Sequence, residues 1–469
     1  MRAALYGLTA LLGALKVSPL GTKYKVSTPA TNPLGGSLRY VENSGKCETT
    51  PGVFQASGYA DLTSSMHMWF WFFEARSNPT TAPLTIWLNG GPGSSSMIGL
   101  FQEHGPCRIS NDSKTLNYNP YSWNNYSNVI YVDQPVGVGY SYGTESVTSS
   151  FTAAEAVYQF LQIFFNDSVF SKYATDSFAL WTESYGGHYG PAFTSYFESQ
   201  NAIVAAGKGN GLLPIHLTTF GLGNGLTDPL TQYPQYVTYS QSNPYRATVS
   251  ASTAKSVNTT LYKSGGCLAQ IQNCYTTNST SVCASATSYC NNNVLSPLAG
   301  IYDVYDVRTT SDAYPPDITS VLTSTSFMSA IGASETWQET NDQVYSNFVN
   351  GGDWMRSQAA NLASVINSGI RVFIFDGDAD YICNYMGVEA MLDSLSTNVA
   401  STYKAQSFTP WTVAGKSAGQ FKTAGNLTYL RVYQAGHEVP AYSANGLAIG
   451  QAALNFFEQA MGGGTFGST

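Results

Sequence analysis

One serine of the chain lies in a local sequence where serine can act as a nucleophile. Ser184 is the centre of Thr182-Glu183-Ser184-Tyr185-Gly186, between a predicted strand and a predicted helix. In the G-x-S-x-G pattern, a tight strand-to-helix turn projects the serine hydroxyl out of the backbone. Gly186 fits this pattern, whereas Thr182 stands where glycine is usual. Because a bare S-x-G is common, the prediction of a nucleophile depends on the strand–turn–helix context.

A nucleophilic serine needs a base, and one histidine is placed to supply it. The chain has five histidines, which are His67, His104, His188, His216 and His437. Where a triad runs serine, acid, histidine along the chain, the base lies downstream of the serine with an acid between them. Only His437 lies well downstream of Ser184, in a loop just after the predicted strand 429–433. The alternative is an ordinary solvated loop histidine.

The acid of such a triad should also follow a strand. Asp376, Asp378 and Asp380 all lie at the end of the predicted strand 371–375. An aspartate-rich turn could also be structural or bind calcium, but no glutamate stands at the spacing of an EF-hand loop. The residue types do not choose among the three aspartates.

Strand-like apolar runs alternate with helical patterns at both ends of the chain. The predicted strands are 66–73, 84–88, 128–133, 178–182, 371–375 and 429–433, and the predicted helices are 153–165, 189–199, 355–367 and 443–460. This alternation predicts an α/β fold with a mostly parallel sheet covered by helices. The carboxyl edge of such a sheet is where active-site residues gather. Residues from about 225 to 345 break the rhythm, and we interpret them as an insertion folded over the core rather than a separate binding module.

Charge and composition exclude several classes of partner. The net charge is −8, the isoelectric point is near 5.1, and no lysine/arginine cluster occurs. A nucleic-acid surface or a patch for anionic membranes is therefore not expected. Only 11% of the residues are charged, which is typical of a secreted protein made soluble by hydroxyls, amides and glycans.

The first residues favour secretion. Arg2 precedes the apolar run 3–15, which is too short to span a bilayer but suits a signal peptide. We therefore predict that residues 1–18 are a signal peptide and that residues 19–469 form one catalytic domain. The alternative is that the apolar run is a buried helix. No later segment predicts a membrane anchor. Six N-x-[ST] sequons, starting at Asn111, Asn125, Asn166, Asn258, Asn278 and Asn426, predict N-linked glycans.

Cysteine usage also indicates an oxidising compartment. Four of the seven cysteines crowd into residues 267–290. Zinc is the competing interpretation, but this cluster has no C-x-x-C pair and no nearby histidine. We therefore expect no metal, and nucleophilic catalysis by a serine implies no organic cofactor. Six paired cysteines allow 15 connectivities, so the sequence alone leaves the pairing open.

Five segments, taken together and in this order, resemble the serine carboxypeptidase family. They are Trp87-Leu88-Asn89-Gly90-Gly91-Pro92-Gly93-Ser94-Ser95-Ser96, Val132-Asp133-Gln134-Pro135-Val136-Gly137-Val138-Gly139-Tyr140-Ser141, Glu183-Ser184-Tyr185-Gly186-Gly187, Asp378-Ala379-Asp380-Tyr381-Ile382-Cys383-Asn384 and Gly436-His437-Glu438-Val439-Pro440. They span most of the chain from about 40 to 445 and look most similar to extracellular fungal members. The resemblance implies an α/β-hydrolase fold with a disulfide-stapled insertion over the active site.

The same resemblance implies roles for single residues. It makes Asp380 the triad acid, with Ser184 and His437, and the N–H groups of Gly91 and Tyr185 the oxyanion hole. The residues that match the family's site for the substrate's C-terminal carboxylate are Trp87, Asn89, Glu103 and Glu183. For Glu103, which lies outside the matched segments, an ordinary surface glutamate is the alternative.

Further implied features concern the cysteines and the substrate pocket. Cys383 matches a free cysteine beside the active site, and Glu438 stands in the pocket for the C-terminal residue. The implied bridges are Cys267–Cys290, Cys274–Cys283 and Cys47–Cys107.

The resemblance implies a carboxypeptidase that acts on C-termini of peptides and proteins at acidic pH. An acyltransferase or esterase on the same scaffold is the enzymatic alternative, and a binding protein with a vestigial site is the other. Secretion is the expected location, with a vacuolar compartment as the alternative.

Overall fold

A computed structural model describes residues 25–27, 33–312 and 314–469 of the chain. The predicted signal peptide, residues 1–18, lies outside the described residues. No helix in the described part of the chain is long and apolar enough to cross a membrane.

Strands and helices alternate along the chain. The strands are β1 Lys25–Ser27, β2 Ser37–Glu42, β3 Gln55–Thr63, β4 Met66–Phe73, β5 Leu84–Leu88, β6 Cys107–Ile109, β7 Leu116–Tyr118, β8 Asn128–Val132, β9 Tyr142–Gly143, β10 Phe178–Glu183, β11 Leu217–Gly223, β12 Arg371–Gly377, β13 Thr409–Val413, β14 Lys416–Ala424 and β15 Leu427–Val432. The helices are α1 Ser150–Asn166, α2 Gly186–Ala205, α3 Pro229–Ser242, α4 Ala251–Tyr262, α5 Cys267–Thr277, α6 Thr280–Cys290, α7 Ser296–Ala299, α8 Thr319–Leu322, α9 Thr325–Ile331, α10 Asp342–Asn350, α11 Ala359–Asn367, α12 Tyr385–Ser394, α13 Ala400–Ala405 and α14 Gln451–Met461. A π-helical turn, Gly99–Glu103, follows β5.

Thirteen of the described strands form one sheet. Its order is β1-β2-β3-β4-β8-β5-β10-β11-β12-β15-β14-β13, with β9 beside β4. The six central strands, β8 to β15 in this order, are parallel, whereas both flanks are antiparallel. The parallel centre expected from the sequence is confirmed. The antiparallel flanks β2–β3 and β13–β14 were not predicted.

The sheet carries a hydrophobic core on each face. Along β4, Phe70 and Phe72 pack on one face together with α1 and α2, while Trp69 and Trp71 pack on the other. Because both faces are covered, β4 is apolar at almost every position instead of alternating. The second face is closed by α14, where Phe457 stacks on Trp123 at 4.1 Å between ring centroids.

Two differences from the predicted elements have physical reasons. Strand β11, in the middle of the sheet, was missed because its sequence contains glycines, which weaken the strand signal. One of them, Gly221, is needed for space, since a Cβ there would lie 2.1 Å from the Trp181 ring. The predicted helix 443–460 begins only at Gln451, because Gly450 before it has a left-handed φ of +79°.

The segment from 225 to 345 is largely helical and lies between β11 and β12. It begins with α3, ends within α10 and includes the disulfide-linked pair α5 and α6. Its weak apolar periodicity follows from small, polar helix surfaces such as that of α6, Thr280–Cys290.

Candidate active site

Four neighbouring parallel strands end at one edge of the sheet and bring the predicted catalytic residues together. Ser184 follows β10, Asn224 follows β11, Asp380 follows β12 by three residues, and His437 follows β15 by five. In space these strands have the same order, β10-β11-β12-β15. The carboxyl ends of parallel strands share an edge, so residues far apart in the chain meet here.

Ser184 stands in a strained turn between β10 and α2. Its φ is +64°, a left-handed value that is costly for a residue with a side chain. The turn is held by hydrogen bonds from Ser184 N to Gly223 O (2.9 Å) and from Leu226 N to Ser184 O (3.0 Å). Gly186 leaves space for the Thr182 side chain, since a Cβ at position 186 would lie 2.5 Å from Thr182 Cβ.

Of the three candidate aspartates, Asp380 is the one that contacts His437. His437 Nδ1 lies 2.9 Å from Asp380 Oδ2, and both side chains are buried. Asp378 instead accepts hydrogen bonds from the Tyr245 hydroxyl (2.5 Å) and Gln434 N (2.8 Å). Asp376 is fully buried, and burial raises its pKa well above the usual value.

The Asp380 carboxylate is surrounded by donors. Asn224 Nδ2 donates to its Oδ2 at 2.9 Å, and the backbone N–H groups of Ile382 and Cys383 donate at 3.0 and 3.2 Å. Asn224 Oδ1 also accepts from Gly377 N at 2.9 Å. This amide therefore ties the aspartate to the end of its own strand. The sequence analysis missed Asn224 together with β11, and an asparagine directly after that strand was its only signal.

The electrostatics around His437 favour its charged form. Burial lowers the pKa of His437, but the charge and hydrogen bond of Asp380, with Glu438 and Glu103, raise it to about 9. Glu438 and Glu103 raise the pKa of His437 only while they are ionised, so at acidic pH, where both hold protons, the neutral ring that a base requires is more populated. A stabilised imidazolium is what the histidine of a triad must form after it accepts the serine proton.

Gly91 and Tyr185 are the residues whose N–H groups the resemblance assigns to an oxyanion hole. Gly91 has a left-handed φ of +103°, and Gly91, Ser184 and Tyr185 line the same cavity. The Tyr185 hydroxyl donates to Asp353 Oδ2 at 2.8 Å, and Asp353 also accepts from Ser150 Oγ at 2.6 Å. Asp353 thereby anchors the residue after the nucleophile. No local motif marks it, so the sequence analysis missed it.

Two buried glutamates share one amide next to Ser184. Asn89 Nδ2 donates to Glu183 Oε1 at 2.7 Å and to Glu103 Oε1 at 3.1 Å. Trp87 Nε1 in turn donates to Asn89 Oδ1 at 2.7 Å. All four side chains are buried, and Glu103 has no exposed surface. Glu103 is therefore not a surface glutamate.

Burial sets the charge of this pair. It raises the pKa of Glu103 to about 7, against the lowering effect of hydrogen bonds from Asn89 and Glu183. Burial, followed by the charges of Glu103 and Glu438, raises the pKa of Glu183 well above its usual value. Since close carboxyl groups share a proton, the pair holds protons at acidic pH.

A cavity of about 850 Å³ contains Ser184 and His437. Cys383 and Glu438 also line it. Burial, then the negative charges nearby, of which Asp380 is the largest, raise the pKa of the Cys383 thiol well above its usual value. Burial and Glu103 raise the pKa of Glu438 to about 8, although His437 lowers it. The cavity lining has several carboxyl groups and, within the described residues, no lysine or arginine.

The other cysteines form three disulfides. They join Cys47 to Cys107, Cys267 to Cys290 and Cys274 to Cys283, the pairing that the resemblance implies, and Cys383 is free. Within residues 25–27, 33–312 and 314–469, no group of three or more His, Cys, Asp or Glu side chains could hold a metal ion.

A serine, an aspartate and a histidine in this chain order, at the carboxyl edge of such a sheet, define an α/β hydrolase. The family model for serine carboxypeptidases matches residues 46–458. The chain is 46% identical to carboxypeptidase S1 of Penicillium janthinellum over 407 residues, which cover 86% of this chain and 95% of that protein. It is 40% identical to carboxypeptidase Y of Komagataella phaffii over 412 residues, covering 86% and 76%.

The fold is also similar to that of a solved structure. Kex1(delta)p, a prohormone-processing carboxypeptidase from Saccharomyces cerevisiae, matches with a TM-score of 0.68 at 23% identity and covers 94% of this chain and 95% of its own. The chain belongs to the serine carboxypeptidase family. The expected fold, enzyme class and carboxypeptidase activity are thereby confirmed.

Proposed function

We propose that Ser184, His437 and Asp380 carry out the carboxypeptidase reaction as nucleophile, base and orienting acid. The observation that carries this proposal is the 2.9 Å contact between His437 and Asp380, beside a cavity that both His437 and Ser184 line. His437 Nε2 takes the proton of the Ser184 hydroxyl as the oxygen attacks the last peptide carbonyl of the substrate. Asp380 holds the ring orientation and stabilises the imidazolium.

The N–H groups of Gly91 and Tyr185 stabilise the oxyanion of the tetrahedral intermediate. His437 then gives its proton to the leaving amino group, the C-terminal amino acid departs, and water hydrolyses the acyl-enzyme. Removing one oxyanion donor typically costs about 10²–10³ in rate. The hydrogen bond from the Tyr185 hydroxyl to Asp353 supports this role, since it fixes the residue that supplies the backbone N–H.

The pair Glu103 and Glu183, with Asn89 and Trp87, recognises the free carboxylate of the substrate. A protonated carboxyl group can donate a hydrogen bond to a carboxylate, which an ionised one cannot do. The burial that raises both pKa values supports this proposal. Recognition by a protonated carboxyl pair restricts the enzyme to C-terminal residues and favours acidic pH.

The cavity also favours a basic C-terminal residue. Glu438 borders it together with Asp312, and no lysine or arginine of the described residues lines it. Because burial raises the pKa of Glu438 to about 8, we expect Glu438→Gln to lower kcat/KM for C-terminal Arg relative to Leu only above about pH 8, where the variant loses a carboxylate. A wild type that releases both residues equally well, unchanged by the substitution, would contradict this preference.

We propose that the protein is secreted, or delivered to a vacuolar compartment, after removal of residues 1–18, and that it carries N-linked glycans. Its disulfides support passage through an oxidising compartment. N-terminal sequencing of the secreted protein tests the signal peptide. A mature protein that begins at Met1 would refute it.

The test of the catalytic roles compares the wild type with Ser184→Ala. Release of the C-terminal amino acid from N-blocked dipeptides is measured between about pH 4 and 7, with the corresponding dipeptide amides as a control. We expect release by the wild type alone, and from the free acids alone. Consumption of ester or acyl-transfer substrates instead would keep the scaffold and overturn the substrate. Release by Ser184→Ala at the wild-type rate would overturn the nucleophile.

A further inference from the structure

The sequon Asn111-Asp112-Ser113 lies at the tip of the hairpin formed by β6 and β7. Asn111 is exposed, and no hydrogen bond of the described residues engages its side-chain amide. An N-linked glycan is attached to this amide nitrogen, so its attachment at Asn111 breaks no contact of the folded chain. The residue is open to modification in the native structure.

At three other sequons, the asparagine Nδ2 atom that would carry the glycan already donates hydrogen bonds. Asn426 Nδ2 donates to Ile366 O at 2.8 Å and to Ile370 O at 2.5 Å. Asn125 and Asn166 each donate one hydrogen bond from Nδ2 to a backbone carbonyl. A glycan on Asn426 replaces one of the hydrogens in use, which makes that position unfavourable. Asn258 and Asn278 resemble Asn111 in being exposed.

The hairpin holds Asn111 in a fixed place. Asp112 Oδ1 accepts from Lys114 N and Thr115 N, both at 2.9 Å, and Asp112 Oδ2 accepts from the Thr115 hydroxyl at 2.6 Å. The Ser320 hydroxyl donates to Ser113 O from the segment around α8. The base of the hairpin is tied by the disulfide at Cys107. A glycan attached here starts from an ordered turn.

The position of this turn gives the glycan a consequence for catalysis. Asn111 and Ser113 line the same cavity as Ser184 and His437. Because Asn111 is also exposed, it stands on the rim of the cavity rather than at its base. None of the other five sequon asparagines lines this cavity.

We propose that Asn111 carries an N-linked glycan that narrows the entrance of the catalytic cavity. Only flexible C-terminal segments can then enter the cavity. An N-linked glycan is bulky and hydrated, so it excludes part of the space that a folded protein substrate would occupy. A dipeptide fits inside the cavity and does not contact the glycan. The proposal rests on the carboxypeptidase roles given above, and it adds a steric filter at a distance from the reacting atoms.

The test uses the full chain secreted from a eukaryotic host that attaches N-linked glycans. Mass spectrometry of the Asn111 peptide measures its occupancy. The variants Asn111→Gln and Ser113→Ala each remove the sequon, the first at its asparagine and the second at its hydroxyl residue. Asn258→Gln removes an exposed sequon elsewhere. For each protein, kcat/KM is measured on an N-blocked dipeptide and on a folded protein with an accessible C-terminus.

We expect an occupied Asn111 in the wild type. Both variants of its sequon should then raise kcat/KM for the protein substrate severalfold and leave the dipeptide unchanged, whereas Asn258→Gln alters neither. An unmodified Asn111, or an unchanged ratio of the two substrates, overturns the proposal. Labelling of Ser184 by a small phosphonate and by the same phosphonate linked to a carrier protein gives a second ratio. That ratio tests the filter even if no peptide is hydrolysed, a result that would overturn the proposed function instead.

Discussion

Substitution of Glu103 by glutamine tests how the protein recognises a carboxylate. The pKa of Glu103 is raised by burial to about 7. Below this pH the carboxyl pair has a proton to donate to the substrate. Once Glu103 ionises, the remaining proton is held between Glu103 and Glu183, and the new negative charge repels the substrate carboxylate. The affinity for peptides should therefore fall as pH rises through 7.

The size of the effect follows from a single titration. If only the protonated pair binds, KM scales as one plus the ratio of ionised to protonated Glu103. KM is then nearly constant below about pH 6, doubles at about pH 7 and is about tenfold higher at pH 8 than at pH 6. In Glu103→Gln the amide does not titrate, so KM should change by less than about twofold over the same range.

KM for an N-blocked dipeptide is measured at pH 6 and 8 for the wild type and for two variants. Asp317→Asn is the matched control, because Asp317 lines the same cavity but lies outside the network of Asn89, Glu103 and Glu183. It should keep the tenfold rise. A wild-type KM that is equal at the two pH values, or a rise that survives in Glu103→Gln, would refute recognition by the protonated pair.

Three further predictions concern the triad acid, the asparagine that orients it and a disulfide. Asp380→Asn should lower kcat by about 10³–10⁴ with little change in KM, as for the equivalent change in other serine triads. Asn224→Ala should lower kcat less, since the aspartate keeps its two backbone donors; equal losses would show that orientation by Asn224 is indispensable. Replacing Cys267 and Cys290 together by serine should lower the free energy of unfolding by about 2–4 kcal/mol, measured by denaturant titration. Cys383→Ser, which breaks no disulfide, is the control for that measurement, and a similar loss there would point to packing instead of the crosslink.

The sequence predicted the parts of the site that local patterns encode. Ser184 could be found from its strand–turn–helix context and His437 from chain order. Asp380 could not be separated from Asp376 and Asp378 by residue type, because all three follow the same strand and only their three-dimensional directions differ. The resemblance to a known family made that choice, and the structure brings Asp380 to His437.

What the sequence could not predict depends on contacts between distant segments. Asn224 orients Asp380 from the end of β11, a strand in which Gly221 leaves space for the Trp181 ring of the neighbouring strand. Asp353 reaches Tyr185 from far along the chain, without any motif. Similarly, Gly450 delays the start of the last helix although the apolar pattern begins earlier. In each case a tertiary contact or a single backbone angle overrides the local pattern.

Strands β11 and β12 are direct neighbours, paired from Thr219 with Arg371 to Gly223 with Phe375. Residues 224–370 thus leave the sheet and return to it at adjacent positions. The entropy of closing such a loop grows only slowly with its length, so this segment can be lengthened, shortened or grafted from a relative without shifting the register of the sheet. Three residues of this segment line the cavity, namely Tyr305, Tyr314 and Trp354. Ser184 and His437 also line it but belong to other parts of the chain. An exchange of this segment between relatives that keeps Asn224 and Asp353, which contact Asp380 and Tyr185, could therefore alter part of the cavity lining while leaving Ser184, Asp380 and His437 in place.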